Sequence, residues 1–145
     1  MNLKRSFNKK TVIITGHTGF KGGWLSVMLN QLGSKVSGYS LNPTGRYNFF
    51  NSVKVKKYLK HDFRKNLSDL QYLKKSINKI NPEIIFHLAA QSSVIESFKK
   101  PSETIISNVL GTSNILEAIK NNNRVKCLII ITTDKVYQNY KGNKY

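Results

Sequence analysis

Residues 11–32 read TVIITGHTGFKGGWLSVMLNQL. The first five, Thr11–Thr15, are short, β-branched and apolar, the pattern of a parallel strand covered on both faces. Gly16, Gly19 and Gly22 follow at three-residue spacing, with Thr18 and Phe20 among them. Trp24, Leu25, Met28, Leu29 and Leu32 then recur at helical spacing and predict one buried helix face. A strand that runs through glycines into a helix leaves free backbone N–H groups at the helix start. With the positive end of the helix dipole, they make a pyrophosphate site. Glycines are needed because a Cβ would obstruct the turn, the phosphate or the helix–strand contact.

Outward from this stretch, strands and helices alternate. Gly33 stops the helix, and residues 35–40, KVSGYS, predict a second strand. An acidic residue gripping an adenosine ribose belongs about twenty residues past the glycines. Tyr39 and Ser40 stand there instead, with hydroxyls but without the charge that favours NAD over NADP, so these residues leave the choice between NAD and NADP open. Residues 41–53 read as a loop, with room for one helical turn around Phe49. Residues 55–61 predict a lysine-rich edge strand, followed directly by Asp62. Leu67, Leu70, Leu73, Ile77 and Ile80 have helical spacing, ended by Pro82. Residues 84–88, IIFHL, predict a fourth strand. Pro101 suits the first turn of the next helix, whose predicted apolar face is Ile105, Val109, Leu116 and Ile119. Residues 127–132, CLIIIT, predict a fifth buried strand.

The alternation implies α/β architecture with a parallel sheet. Right-handed crossovers make 3-2-1-4-5 the simplest order, a doubly wound, Rossmann-type sheet that stops after strand 5. Ligands in such sheets lie at the carboxyl ends of the strands, across the reversal between strands 1 and 4. Residues 16–22, Asp62, residues 88–92 and residues 132–135 fall there.

The 145-residue chain carries 24 Lys and Arg against 7 acidic residues, a formal net charge of +17. The lysines spread along the whole chain without interleaved aromatics, which reads as a solvated surface rather than a base-stacking platform. No specific nucleic-acid partner is expected. No apolar run reaches the roughly 18 residues of a membrane span. Residues 1–10 are basic, lack the apolar stretch of a signal peptide, and are expected to form a flexible tail. The single Cys127 excludes a disulfide framework, and a cytoplasmic location is expected. His17, His61 and His87 lack metal-ligand spacing, so no metal is expected; His87, inside a strand, reads as a core residue.

The stretches TGHTGFKGGWL, HDFR, HLAAQSS, NVLGT and TTDKVY together resemble the extended short-chain dehydrogenase/reductase family, over residues 11–137. Within it they are similar to the sugar-nucleotide 4,6-dehydratases; GHTGFKGGWL and TTDK point to CDP-glucose as the nucleotide sugar. The resemblance implies cofactor contacts at Gly16, Thr18, Gly19, Phe20, Gly22, Ser40, Asp62, Phe63, Leu88, Ala89, Ala90, Asn108 and Thr132. In it Asp62 bonds the adenine amino group and Gln91 reaches the sugar. Thr133, Asp134 and Lys135 match the active-site triplet. Thr133 would bond the sugar C4 oxygen and Asp134 would protonate the departing C6 hydroxyl. Lys135 would act at C5 as base or by stabilising enolate charge.

The resemblance also implies a Tyr-x-x-x-Lys pair on a helix beyond strand 5, and homodimers among full-length relatives. Tyr137/Lys141 and Tyr140/Lys144 have the spacing, but they follow TTDK too closely, and Gly142 and Asn143 disfavour a helix. Neither is taken as the pair. Residues 11–145 are therefore expected to be an incomplete dinucleotide-binding domain of a longer enzyme, without its sugar-binding domain and inactive alone. Two other readings stay open: another extended family member such as a sugar-nucleotide epimerase, and a nonenzymatic dinucleotide-binding module.

Overall fold

The structure, a computed structural model, describes residues 2–133. Five strands, β1 (Thr11–Thr15), β2 (Lys35–Ser40), β3 (His61–Arg64), β4 (Ile84–His87) and β5 (Cys127–Ile130), form one sheet of order β3-β2-β1-β4-β5. Every pairing is parallel. The predicted order and the central place of Thr11–Thr15 are what the structure shows.

Alternation along β1 explains the two layers. Ile13 joins Tyr39, Leu73, Ile77, Ile85 and Ile115 in one buried cluster, under α4 (Leu70–Ile80) and α7 (Gly111–Ile119). Val12 and Ile14 point the other way, to Leu29 and Val36, under α2 (Phe20–Gln31). Each such side chain, fully removed from water, contributes roughly 1.5–3 kcal/mol. Asp69 caps α4 by accepting from Tyr72 N–H at 3.0 Å, and Asn81 ends it in a left-handed conformation.

Five local expectations need revision. First, the segment before β1 carries a short helix, α1 (Leu3–Phe7), capped by Asn2. Phe7 packs on Phe86 with ring centroids 6.4 Å apart, and Lys10 Nζ pairs with Glu83 at 2.8 Å. Second, residues 55–61 do not form the strand. Lys54 has positive φ, and Val55–Tyr58 coil into a 3-10 turn whose one buried residue is Val55. The segment that pairs with β2 is HDFR, in the register Gly38↔Asp62 and Ser40↔Arg64, which puts Asp62 inside the strand.

Third, Trp24 and Met28 are 53% and 49% exposed. The buried side of α2 is Gly22, Gly23, Ser26 and Leu29. Small residues let the helix lie close to the sheet, and Ser26 Oγ donates to Gly22 C=O at 2.7 Å. Trp24 turns outward onto Phe49, at the start of the short α3 (Phe49–Ser52). Fourth, the helix after Pro101 is not uniform. It follows a separate α5 (Val94–Lys99), and α6 (Pro101–Ile105) runs into a π-type stretch, Ile106–Leu110, before α7. The wider turn shifts the helix phase, so Ile105, Val109 and Leu116 face outward while Asn114 and Ile115 are buried. Fifth, β5, expected to be buried, is half-exposed, because among the described residues it pairs only with β4. No described helix is long and apolar enough to cross a membrane.

The burial pattern predicts that Ile13→Ala costs about 2–5 kcal/mol. Leu116→Ala, at a position 49% exposed, should stay within about 0.5 kcal/mol. Urea unfolding reads both; comparable losses would return Leu116 to the buried face.

Candidate functional site

At the carboxyl edge of the sheet the backbone of β1 turns over bare glycines. Gly16 has φ +75°, and a Cβ there would stand 2.8 Å from Ala89 N, in the loop after β4. A Cβ on Gly22 would collide with the Gly16 carbonyl. These two glycines are required by the fold itself. Gly19, the N-cap of α2, is different. Its φ is −76°, and a Cβ would meet only Gly16 O at 3.4 Å. Packing therefore does not demand a glycine there. What a side chain would fill is the space in front of the helix start, where Gly23 N–H makes the first helical bond, to Gly19 C=O, and the preceding amides lack helical partners.

Beside the turn, Thr18 Oγ1 and Ser40 Oγ lie 2.8 Å apart, tying the glycine loop to the end of β2. Tyr39 takes no part. It points into the opposite core and its hydroxyl donates to Asn66 C=O; burial, then Asp69 and Tyr72, push its phenol pKa up. A groove of about 300 Å³ opens between Thr18, Phe20, Asn42, Thr44 and Phe49. A larger one, about 600 Å³, lies at the far edge of the sheet among Lys74, Asn78, Asn121 and Arg124. Helix C-termini converge there, which is the wrong polarity for phosphate, so the glycine edge is the better dinucleotide site despite its smaller groove.

Asp62 projects from β3 toward the glycine loop. Its Oδ1 accepts from His17 Nε2 at 2.9 Å and from Arg64 Nε at 2.7 Å. Its Oδ2 accepts from Arg64 Nη2 at 2.8 Å. Burial pushes the carboxyl pKa up, but the hydrogen bonds and charges of His17 and Arg64 outweigh it and hold the group below the ordinary carboxylate range. Oδ2 keeps acceptor capacity for a further donor. His17 was not singled out as a site residue from the sequence. It is fully buried, with Nδ1 unpartnered, and its ring lies on Gly38, where a Cβ would strike it. A glycine inside a strand signals such a close approach, and Gly38 was the available sign.

The other expected contacts divide. Leu88 and Ala89 follow β4 beside the glycine turn, with their amides bonded to Thr15 C=O and Thr15 Oγ1; Ala90 is exposed. Phe63 leans into the core against Tyr72. Asn108 spends its amide on the Gln91 backbone, accepting from Gln91 N–H at 2.7 Å and donating to Gln91 C=O at 2.9 Å. Gln91 Nε2 in turn bonds Ser93 C=O and Thr104 Oγ1. Phe20 is exposed, its ring edge-on to Phe49. Thr132 and Thr133 are exposed after β5. Asp134, Lys135 and both Tyr-x-x-x-Lys pairs lie outside the described residues.

Residues 13–143 match the protein-family model described as GDP-mannose 4,6 dehydratase. Among curated proteins, the chain is 39% identical over 136 residues to CDP-glucose 4,6-dehydratase of Salmonella typhimurium, covering 94% of this chain and 38% of that one. The chain thus spans about two fifths of that relative's length. A crystal structure of UDP-glucose-4-epimerase from Stenotrophomonas maltophila, with bound NAD and formylated UDP-arabinopyranose, superposes with TM-score 0.76 at 22% identity, over 91% of this chain and 39% of that one. The UDP-glucose 4-epimerase of Thermus thermophilus, in complex with NAD, gives TM-score 0.64 at 28% identity over 75% of this chain and 33% of that one.

The depressed carboxyl of Asp62 has a pH signature. A group with a lowered folded pKa stabilises above its unfolded value and loses that contribution as pH falls through the folded one. The stability gap between the wild-type chain and Asp62→Asn should be full above the ordinary carboxyl value of 3.8 and shrink below it. Urea unfolding at pH 6 and pH 3 measures the gap; a gap independent of pH would contradict the assignment.

Proposed function

The chain belongs to the GDP-mannose 4,6-dehydratase family, and from that membership we propose that it is the NAD-binding portion of a sugar-nucleotide 4,6-dehydratase acting on CDP-glucose. The observation that carries the cofactor half is Gly19. Its missing side chain serves no packing need, and it stands at the N-terminus of a twelve-residue helix. A pyrophosphate fits there, held by backbone amides and the helix dipole. NAD-bound neighbours of the same fold support this reading, as does the free acceptor capacity of Asp62 for an adenine amino group. The substrate half rests on the 39% identity to a CDP-glucose enzyme and on Lys135 following Asp134.

Bound NAD would supply an internal redox cycle, taking hydride from the sugar C4 and returning it to C6. The chain's own residues would orient and move protons. The backbone of residues 88–90 would run beneath the cofactor, and Gln91 would meet the sugar. Thr133 would hydrogen-bond the C4 oxygen. Asp134 would hand a proton to the departing C6 hydroxyl, and Lys135 would assist loss of the C5 proton. The proposal includes a cytoplasmic setting, supported by the lone Cys127. It also includes a homodimeric full-length enzyme, supported by the exposed apolar side chains of Ile105, Val109 and Leu116.

The test is calorimetric titration of NAD into the chain and into Gly19→Val. Wild type should bind, and the variant should lose at least about tenfold in affinity by closing the phosphate approach. The variant should remain folded, because a Cβ there meets only Gly16 O, with a stability loss on the order of 1 kcal/mol for a β-branched N-cap. No wild-type binding, or equal affinities, would overturn the proposal.

A further inference from the structure

His87, the last residue of β4, is buried between two threonines. Thr15 Oγ1 is 2.6 Å from its Nδ1, and Thr112 Oγ1 is 3.0 Å from its Nε2. The protons in this line can be assigned by counting donors. Thr112 Oγ1 also lies 2.7 Å from Asn108 C=O. A carbonyl only accepts, so the one hydroxyl proton of Thr112 goes there. Thr112 must then accept from His87, which puts the imidazole proton on Nε2. A neutral ring protonated at Nε2 leaves Nδ1 as an acceptor, and Thr15 donates to it. Thr15 Oγ1 in turn accepts from Ala89 N–H at 3.2 Å. Every buried donor and acceptor in the line is satisfied, the condition for such a network to favour one arrangement. Burial alone pushes the His87 pKa down, which keeps the ring neutral.

The line ends at Asn108, whose side chain bonds both backbone groups of Gln91. We propose that His87 is a positioning residue: through Thr112 and Asn108 it fixes the backbone of residues 89–91 against the glycine turn. Two side chains touch the ring, Thr15 of β1 and Thr112 of α7; the loop after β4 joins them through Ala89 N–H on Thr15 and through Asn108, whose carbonyl accepts from Thr112 and whose side chain holds Gln91. That loop stands at the carboxyl edge of the sheet beside the reversal between β1 and β4, where ligands of this architecture lie. For the ligand it positions, the inference rests on the dinucleotide reading above. The proton assignment stands independently of it.

Thr112→Val keeps the side-chain shape, strands the Nε2 proton of His87 without a partner and removes the bond that holds the Asn108 carbonyl. Thr112→Ser restores the hydroxyl. Long-range ¹H–¹⁵N spectra of the histidine-labelled chain should show the Nε2-protonated tautomer in wild type and Thr112→Ser, and a displaced His87 signal in Thr112→Val. Exchange of the Gln91 amide proton should accelerate about tenfold in Thr112→Val, the worth of roughly one hydrogen bond, and return with serine. NAD affinity should fall several-fold in Thr112→Val, while AMP, which lacks the nicotinamide half, binds as before. An Nδ1-protonated ring in wild type would overturn the inference. So would unchanged Gln91 exchange, or an unchanged ratio of NAD to AMP affinity in Thr112→Val. If wild type bound neither nucleotide, the dinucleotide reading would fall, and tautomer and exchange would still decide the relay.

Discussion

Backbone meets backbone where β1 becomes α2, and the rest of the arrangement depends on that contact. Gly22 lies on the Gly16 carbonyl, and Gly16 lies on Ala89. No side chain larger than hydrogen fits either place. The contact pins the start of α2 to the carboxyl end of the sheet and brings the loop after β4 within reach of the same point. It also puts the open face of Gly19 in front of the helix N-terminus. The open helix start is thus a product of the way strand and helix are joined.

Charge around this site is arranged more tightly than the overall excess of cations suggests. The formal charge of +17 is spread over exposed lysines. Near the glycine edge, by contrast, Arg64 is committed twice to Asp62, donates to Leu41 C=O, and stacks over Phe50. Asp62 is held ionised and aimed, with His17 behind it. Fixed, partnered groups of this kind lose little freedom when a ligand arrives. The end of β2 carries the Ser40–Thr18 hydroxyl pair rather than a carboxylate, so this side of the glycine edge presents neutral groups.

Much of this was legible in the sequence because its signals were local. The strand–glycine–helix passage set β1, and the alternation of strands with helices left few topologies. The misreadings have particular physical sources. KVKKYLK looks like an alternating edge strand, yet its one buried anchor is Val55, and HDFR takes the pairing. The apolar residues of α2 surround the helix, so spacing could not show that the face of Gly22, Gly23 and Ser26 is the one that packs. In α7 the periodicity was sound in kind but shifted in phase, since one π-type turn adds a residue, about 100° of rotation. His17 and His87 were invisible as network members because their partners, Asp62 and Thr112, are 45 and 25 residues away.

The central claim is that the carboxyl edge of this sheet binds a dinucleotide. It is tested most directly by adding NAD to the ¹⁵N-labelled chain and following every backbone amide. The account predicts shifts concentrated in residues 16–22, at Asp62 and in residues 88–91. Shifts centred on the opposite groove, around Asn78, Asn81 and residues 118–124, or no shifts at saturating NAD, would contradict it.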